Sequence, residues 1–489
     1  MAQLATAMDA PARDKRSDAA AAPSELSAVF GRMKAAYRRD PNPSYQTRAH
    51  NLDKLLWLVR DNQARFAQAI SQDFSCRSVH ETQIAEIFML VAGIKYMRKH
   101  LKGWMKPQAR HVGLAFAPAK AKVHYQPLGV VGVISPWNYP VSLAFGPLAV
   151  ALAAGNRVMI KPSELTPKTS ELMKELLAQN FEADVVSVIT GGPQIGQAFS
   201  ELPFDHLLYT GSTRVGRFVM QAAAKNLTPV TLELGGKSPT IVHESYPIEK
   251  AAARIAAGKW FNAGQTCIAP DYLLVPESKR DALIEALRQA VSTSYPTLRD
   301  NHDYSAIVNE LHHKRLLGYL EDAVARGAKK IELNPKNEKL EGDTRKIAPT
   351  ILLDVNDEMT VMQDEIFGPV LPIVTYRTLD EAIEYVNDRP RPLALYYFDF
   401  DSERARNVLE RTVSGGAAVN ETVMHFAIED LPFGGVGPSG MGAYHGFEGF
   451  ETFSHKKAVF YQARWNGAAM MSPPYGEKVE KLLKMLIGK

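Results

Sequence analysis

The sequence contains 489 residues, of which 46% are hydrophobic and 22% are charged, and these values are ordinary for a folded, water-soluble protein. A net charge of +4 is small for this length, and it argues against a nucleic-acid partner. Two cysteines, Cys76 and Cys267, are too few for a disulfide framework or a cysteine-rich zinc site. They fit a reducing, cytoplasmic location, and no metal site is expected.

The amino-terminal third of the sequence predicts a tail, a helical region and a β-type segment. Residues 1–23 are rich in Ala, Pro and charged residues and lack a signal-like apolar run, which predicts a flexible tail. Residues 24–105 carry apolar side chains at three- and four-residue steps, as helices do. Short β-type runs at 120–135 predict a hairpin or an extended segment, followed by a buried strand. The apolar stretch 140–155 is shorter than a spanning helix of about 20 residues and predicts a buried helix.

The central part alternates between strand-like runs and helical segments, which predicts an α/β fold with parallel sheets. Strand-like runs at 157–162, 185–190, 206–211, 229–236 and 238–243 belong to a first alternating region, and a second runs from 248 to 420. The pattern predicts two domains, 24–235 and 236–420, and a carboxy-terminal segment, 421–489. That segment ends in an amphipathic helix, for which we expect docking on the body; an interfacial membrane helix is the alternative.

One turn in the first alternating region has the properties of a phosphate site. It begins at Gly211, ends at Gly216, follows a strand and opens a helix that Ser212 can cap. Unpaired N–H groups at such a helix start favour an anion, although an ordinary βα turn has the same pattern. Lys161 adds a cation at the end of a neighbouring strand, and Glu164 can accept hydrogen bonds from a ribose. The literal G-x-G-x-x-G at 435–440 does not lie between a strand and a helix, and we interpret it as a loop.

Three polar residues stand at unusual places. Cys267 follows a polar, glycine-containing run, 261–266, that can expose its sulfur, whereas most lone cysteines are small buried hydrophobes. Glu233 ends an apolar strand, where an acid is costly unless it is paired or functional. Asn138 follows another strand and would by itself be a turn residue.

Seven motifs together resemble the aldehyde dehydrogenase superfamily, and finer features resemble its class 3 branch, including the bacterial coniferyl aldehyde dehydrogenases. The motifs are SPWNYP (135–140), IKPSE (160–164), YTGSTRVG (209–216), LELGGKSP (232–239), FNAGQTCIAPDY (261–272), EIFGPV (365–370) and LPFGGVGPSGMG (431–442). The resemblance implies two parallel-sheet α/β domains, with the cofactor bound by 24–235 and the catalytic cysteine in 236–420. It also implies a small β extension, from the hairpin and the 421–489 segment, that joins a homodimer.

The resemblance implies NAD(P)-dependent oxidation of an aldehyde to a carboxylic acid through a thiohemiacetal and a thioester on Cys267. Glu233 would activate water, and Asn138 with the Cys267 backbone N–H would stabilise the oxyanion. The N–H dipoles and the bound cofactor would lower the thiol pKa. The residues implied in cofactor binding are Trp137, Lys161, Glu164, Gly211, Ser212, Gly216, Leu234, Glu365 and Phe367. Glu164 favours NAD by repelling a 2′-phosphate, and NADP remains possible.

The substrate is expected to be an aromatic or cinnamyl aldehyde such as coniferyl aldehyde. Aromatic residues near the motifs fit a flat substrate, although core packing would also explain them: Trp137, Tyr139, Phe261, Tyr272 and Phe426. The alternatives are a medium-chain aliphatic aldehyde dehydrogenase, a CoA-acylating enzyme, which Glu233 disfavours, and a non-enzymatic binding or structural protein of the same fold. No firm membrane anchor is expected.

Overall fold

The amino-terminal region is helical, as predicted. A computed structural model describes residues 15–113, 116–340, 342, 344–466 and 472–488 of the chain. The helices of this region are α1 (Lys15–Arg39), α2 (Tyr45–Asp61), α3 (Gln63–Phe74), α4 (Val79–Thr82), a π-helical segment (Gln83–Phe88) and α5 (Met89–Trp104). Residues 1–14 of the predicted tail lie outside the described residues. Residues 15–23 belong to α1, so the tail prediction is wrong for them, because the run of alanines favours a helix.

A six-stranded sheet forms the first α/β unit, in the order β15-β7-β6-β3-β4-β5. Its strands are β3 (Val130–Ile134), β4 (Arg157–Lys161), β5 (Val186–Val188), β6 (His206–Gly211), β7 (Val230–Leu234) and β15 (Gly440–Met441). Its helices are α6 (Ser142–Ala153), α7 (Pro167–Asn180), α8 (Pro193–Ser200) and α9 (Thr213–Ala224). All strand pairs are parallel except β15 with β7. Every residue of α6 except Gly146 is buried, as expected for the apolar stretch at 140–155.

A seven-stranded sheet forms the second unit, in the order β10-β11-β12-β9-β8-β13-β14. Its strands are β8 (Pro239–Val242), β9 (Tyr272–Pro276), β10 (Lys329–Glu332), β11 (Thr350–Leu353), β12 (Val370–Tyr376), β13 (Ala394–Phe398) and β14 (Gly416–Val419). Its helices are α10 (Ile248–Trp260), α11 (Arg280–Ser294), α12 (Glu310–Ala325), α13 (Thr360–Gln363), α14 (Leu379–Asn387) and α15 (Ser402–Arg411). The predicted domain boundary near Gly235 lies in the loop between β7 and β8. The assignment of domains to functions stays a prediction.

A small antiparallel sheet contains β1 (Gln108–Arg110), β2 (Lys120–Pro127) and β16 (Ser454–Tyr461), in the order β1-β2-β16. The predicted hairpin at 120–135 is wrong, because β2 pairs with β1 and β16 while β3 enters the six-stranded sheet. Gly129 makes the crossing with a φ of +143°, and a Cβ there would lie 2.1 Å from Asp205 Oδ2. Only glycine adopts this conformation readily, and Gly129 therefore allows the chain to leave the small sheet at β2 and enter the six-stranded sheet at β3.

Two helices complete the carboxy-terminal segment: α16 (Gly446–Thr452) and α17 (Glu477–Ile487). No residue of α17 is buried, so the predicted docking on the body is wrong. Spacing of apolar residues predicts an amphipathic helix but does not specify what covers its apolar face. Within the part of the chain that the structure describes, no helix is long and apolar enough to cross a bilayer.

Candidate active site

The carboxyl ends of four neighbouring strands bring the predicted cofactor residues to one edge of the six-stranded sheet. Ile134 at the end of β3 lies beside Lys161 of β4 and Tyr209 of β6, and Gly211 lies beside Leu234 of β7. In open α/β sheets, ligands bind beyond the carboxyl ends of the strands. The turns that carry Asn138, Glu164 and Ser212 all begin at this edge.

The phosphate-type turn has the geometry that its sequence predicts. Ser212 caps α9, and its Oγ accepts a hydrogen bond from the Val215 N–H at 3.4 Å. A Cβ at Gly216 would lie 2.7 Å from Leu234 Cδ2, and one at Gly211 would lie 2.3 Å from the Tyr209 hydroxyl. The two glycines therefore allow the helix to start close against the sheet. At the neighbouring strand end, buried Lys161 donates to Glu164 Oε2 at 2.6 Å.

A constrained loop presents Cys267. Asn262, Ala263 and Gly264 all have left-handed φ angles, between +51° and +75°. A Cβ at Gly264 would lie 2.2 Å from the Gly368 carbonyl oxygen, so the EIFGPV motif packs directly on this loop. The side chain of Gln265 braces the loop by donating to the Asn262 and Ala306 carbonyls, both at 3.0 Å.

The sulfur of Cys267 faces a cavity of about 350 Å³ that Glu233 also lines. Burial raises the pKa of the Cys267 thiol to about 12, and the carboxyl groups of Glu365 and Glu233 add to this effect. The backbone N–H groups of Cys267 and Ile268 lower the pKa, in the predicted direction, but burial outweighs them. The thiol therefore stays protonated at neutral pH until its surroundings change.

Glu233 lies at the end of β7, with only 3% of its surface exposed. Neither carboxyl oxygen has a hydrogen-bond partner among the described residues, and none of them forms an ion pair with it. Burial without compensation raises its pKa well above the usual value, which favours the neutral acid over the carboxylate. A salt bridge would have been a purely structural reason for an acid at the end of this strand. Glu233 forms no such ion pair with the described residues.

Asn138 is buried beside the cysteine loop. Its side-chain Nδ2 donates to the Gln265 carbonyl at 3.3 Å, which uses one of its two amide hydrogens. Its backbone carbonyl accepts hydrogen bonds from Arg77 and from the Asn262 amide. The turn is therefore fixed by its backbone, and one amide hydrogen remains for a further acceptor.

The EIFGPV motif (365–370) packs against the LELGG turn (232–236), which follows β7 at the sheet edge. A Cβ at Gly235 would lie 2.1 Å from Glu365 Oε2, and Glu365 Oε1 is buried without a hydrogen-bond partner in the described ranges. Burial, with the charge of Asp271, raises the pKa of Glu365 to about 8. A buried carboxyl with one unpartnered oxygen beside a glycine turn fits the hydroxyls of a ribose, as a nicotinamide cofactor offers.

Trp137 and Phe367 lie together, with ring centroids 5.3 Å apart. His312 lies near the start of α12, is half-buried, and has its ring centroid 4.9 Å from that of Trp137. Burial, with the charge of Arg315, lowers the pKa of His312 to about 4.

The cavity wall is mostly apolar, and its mouth is ringed by the exposed side chains of Ile84, Phe88 and Met424. Arg254 and Glu421 form an ion pair of 3.1 Å that also borders the cavity. Of the five aromatic residues noted in the sequence, Tyr139, Phe261 and Phe426 line the cavity, whereas Trp137 contacts Phe367 and Tyr272 is buried in β9. The cavity wall includes one face of α10 and the residue that follows the helix. The helical spacing of Arg254, Ala257, Gly258 and Phe261 is the sequence signal that could have predicted this wall.

Comparison with known proteins identifies the family. A model of the aldehyde dehydrogenase family matches residues 15–459.

The chain belongs to the aldehyde dehydrogenase family.

A Pseudomonas aeruginosa protein named "Probable coniferyl aldehyde dehydrogenase" is 54% identical over 94% of this chain and 96% of its own. The mouse aldehyde dehydrogenase family 3 member B3 is 40% identical over 94% of each chain, which confirms the predicted class 3 resemblance.

Solved structures confirm the predicted α/β fold of this aldehyde dehydrogenase. A substrate-bound Staphylococcus aureus AldH superimposes with a TM-score of 0.89 at 40% identity, over 94% of this chain and 99% of that chain. An indole-3-acetaldehyde dehydrogenase complexed with NAD+ gives a TM-score of 0.82 at 26% identity, over 90% and 89% of the two chains. The enzyme is an oxidoreductase that uses a nicotinamide cofactor to oxidise an aldehyde to a carboxylic acid.

Proposed function

We propose that this enzyme oxidises aromatic and cinnamyl aldehydes of the coniferyl aldehyde type, with Cys267 as nucleophile, Glu233 as general base and Asn138 as oxyanion donor. The observation that carries the proposal is that Cys267 and Glu233 line one apolar cavity beside the turn of Asn138. NAD is the proposed cofactor, and the enzyme is proposed to be a homodimer.

The residues divide the chemistry into two halves. Once the Cys267 thiol has lost its proton to solvent, the thiolate attacks the aldehyde carbon, and the oxyanion accepts hydrogen bonds from Asn138 Nδ2 and the Cys267 N–H. A bound nicotinamide would supply the hydride acceptor, so that the acyl group stays on Cys267 as a thioester. Glu233, once its carboxyl is ionised, takes a proton from water while the water oxygen attacks the thioester carbon; the carbon–sulfur bond then breaks, the carboxylic acid leaves, and the sulfur regains a proton.

The cofactor residues follow from their places at the sheet edge. Lys161, Glu164 and Ser212 would hold the adenosine ribose and phosphates, with Gly211 and Gly216 allowing close approach. Trp137, Leu234, Glu365 and Phe367 would surround the nicotinamide riboside. Glu164 is already an acceptor for Lys161 and is 39% exposed, so it can meet ribose hydroxyls and would repel a 2′-phosphate. Glu164→Gln should raise the NADP/NAD ratio of kcat/KM.

The substrate proposal has two supports. Relatives that are 54% and 48% identical to this chain are named for coniferyl aldehyde, and the cavity is apolar with aromatic walls from Tyr139, Phe261 and Phe426. Medium-chain aliphatic aldehydes would fit an apolar cavity as well. A kcat/KM panel that compares coniferyl aldehyde, cinnamaldehyde and hexanal tests this; a clear preference for hexanal would overturn the aryl assignment.

Rapid-mixing kinetics test the two catalytic roles separately. Cys267→Ala should abolish both the NADH burst and steady turnover, whereas Glu233→Gln should keep a burst and lose about 10²-fold or more in steady turnover. Cys76→Ser is the matched control: Cys76 does not line the cavity, its sulfur contacts the Tyr304 carbonyl, and the substitution should leave both phases unchanged. Substantial turnover by Cys267→Ala would exclude the covalent mechanism. Formation of an acyl-CoA in place of the acid would instead favour a CoA-acylating enzyme.

A homodimer is supported by apolar side chains that this single chain leaves exposed. Phe218 and Met220 on α9 are 63% and 44% exposed, and Phe460 on β16 is 52% exposed. Such side chains commonly lie in subunit interfaces. Light scattering coupled to gel filtration measures the mass directly, and a monomer at micromolar concentration would contradict the proposal.

A further inference from the structure

Two oppositely charged side chains are completely buried beneath the turn that carries Asn138. Arg77 lies between α3 and α4, and Glu86 lies in the π-helical segment. Their side chains are both 0% exposed, and Arg77 NH1 is 3.8 Å from Glu86 Oε1. None of the seven sequence motifs includes either residue.

Arg77 contacts the turn through the backbone of Asn138. Its NH1 donates to the Asn138 carbonyl oxygen at 2.5 Å. The guanidinium lies over the ring faces of Phe74 and Tyr139, at 5.1 and 4.7 Å from their centroids. Two aromatic faces and one carbonyl therefore fix both the position and the plane of the cation.

Glu86 holds the other end of the same turn. Its Oε2 accepts hydrogen bonds from the N–H groups of Val141 and Ser142, at 2.7 and 3.0 Å. These N–H groups open α6, where a carboxylate is favourable. The π-helical segment supplies Glu86, and π-bulges of this kind are common at functional sites. The pair thus restrains the main chain on both sides of Tyr139 and Pro140.

Stability alone does not account for this arrangement. Burying two ions costs several kcal/mol each even after relaxation, and a well-packed apolar pair is often as stable. Arg77 Nε and NH2, and Glu86 Oε1, also have no hydrogen-bond partner among the residues described. The side-chain hydrogen bonds of this costly buried pair all go to backbone atoms of residues 138–142, and the pair is therefore explained by what it does to Asn138.

We propose that Arg77 and Glu86 are positioning residues, which fix the backbone of the Asn138 turn so that the side-chain amide of Asn138 points at the developing oxyanion. This inference rests on the proposed role of Asn138 as oxyanion donor. Because an oxyanion donor acts in the transition state more than in the ground state, misplacing it should lower kcat with little change in KM.

A double-mutant cycle separates positioning from general structural support. Arg77→Met should lower kcat about 10- to 100-fold with KM within about threefold, in line with the loss of one oxyanion donor. Arg77→Lys should recover part of that loss. In the Asn138→Ala background, Arg77→Met should change kcat by less than about threefold, because the amide that it positions is gone. An equal loss in both backgrounds would overturn the inference.

Arg157→Met is the matched control. Arg157 also donates to a backbone carbonyl, that of Asp184, at 2.5 Å, but at the amino end of β4, away from the site. It should leave kcat unchanged in both backgrounds. If Arg77→Met does not fold, Glu86→Gln serves in its place: it keeps the acceptor for the two N–H groups, removes the charge, and should show the same dependence on Asn138.

The outcomes distinguish this inference from the function on which it rests. If Asn138→Ala itself leaves kcat within about threefold, the oxyanion role of Asn138 is wrong. If Asn138→Ala lowers kcat strongly but neither Arg77→Met nor Glu86→Gln depends on the residue at 138, only the positioning inference is wrong.

Discussion

Burial sets the protonation of the two reacting groups at the scale of single residues. Cys267 and Glu233 both face the apolar cavity, and burial raises the pKa of each. In the unliganded enzyme, burial therefore favours the protonated form of both groups. Each group must lose its proton at a different step, so the reactivity of each can be followed separately by its pH dependence.

Alkylation of Cys267 should depend steeply on pH. Since only the thiolate reacts and its pKa is raised to about 12, inactivation by iodoacetamide should accelerate about tenfold per pH unit between pH 7 and 9. The measurement is the loss of dehydrogenase activity over time, with peptide mass spectrometry to separate labelling at 267 from labelling at Cys76. A plateau below pH 8 would show that the sulfur is already ionised in the unliganded enzyme.

Glu233 should make the stability of the protein fall as the pH rises. The pKa of Glu233 is higher in the folded protein than in the unfolded chain. The contribution of Glu233 to the free energy of unfolding is therefore complete below the pKa of the unfolded state and is lost as the pH rises through the pKa of the folded state. Relative to Glu233→Gln, the wild type should lose about 1.4 kcal/mol per pH unit across that window. Denaturant unfolding of both proteins from pH 5 to 9 checks this, and parallel curves would mean that Glu233 is ionised when folded.

Short-range patterns identified the reacting residues, but not the residues that hold them. Cys267, Glu233 and Asn138 stand in motifs of six to twelve consecutive positions. Arg77 meets Asn138 across 61 positions, and its partner Glu86 reaches Val141 across 55. Such contacts depend on how helices pack, which one sequence does not specify, and the burial of His312 against Trp137 escaped prediction for the same reason.

At the scale of elements, one face of α10 forms a wall of the cavity that Cys267 and Glu233 line. Arg254, Ala257, Gly258 and Phe261 follow one another at steps of three, one and three residues along the cavity wall. At 1.5 Å per residue, the wall extends about 10 Å from the cysteine loop towards the mouth. A Cβ at Gly258 would lie 2.2 Å from Thr422 Oγ1, so this helix packs closely against the segment after β14.

Filling this wall should discriminate between substrates by size. Ala257→Trp places a large ring in the cavity, and it should lower kcat/KM for coniferyl aldehyde by about tenfold or more while propanal changes by less than about threefold. Ala253→Trp, on the exposed side of the same helix, is the control and should change neither. Equal losses for both aldehydes would show that the substrate does not lie along α10.

Alternation of strands and helices predicted both parallel sheets, but it did not predict which strands pair with each other. The strands from β4 to β8 agree with the strand-like runs at 157–162, 185–190, 206–211, 229–236 and 238–243, and β3 agrees with the buried strand expected after the β-type runs. β13 and β14 were not predicted, and the hairpin at 120–135 was wrong because the partners of β2 come from residues 108–110 and 454–461. A strand's own residues show its periodicity, whereas its partner depends on distant chain segments.

The carboxy-terminal segment ties the parts together at the scale of the whole molecule. β15 pairs with β7 at Gly440 and Glu233, which closes the sheet edge beside the proposed general base. β16 pairs with β2 along eight residues, from Ser454 to Tyr461. α17 follows these contacts and buries none of its residues. The segment therefore contains one part that the fold needs and one part that it does not.

Truncation should separate these two parts. A chain that ends at residue 476 lacks α17, and since no residue of that helix is buried, its melting temperature should stay within about 1 °C of wild type and its kcat should be unchanged. A chain that ends at residue 453 also loses β16, leaves β2 unpaired on one side, and should melt at least about 5 °C lower or fail to fold. Differential scanning calorimetry at fixed protein concentration compares the three chains.

A clearly lower melting temperature for the chain that ends at residue 476 would mean that α17 docks in solution, on its own chain or on a second copy. Gel filtration of wild type and truncated chain at several concentrations separates those two cases, because only docking on a second copy makes the mass depend on α17.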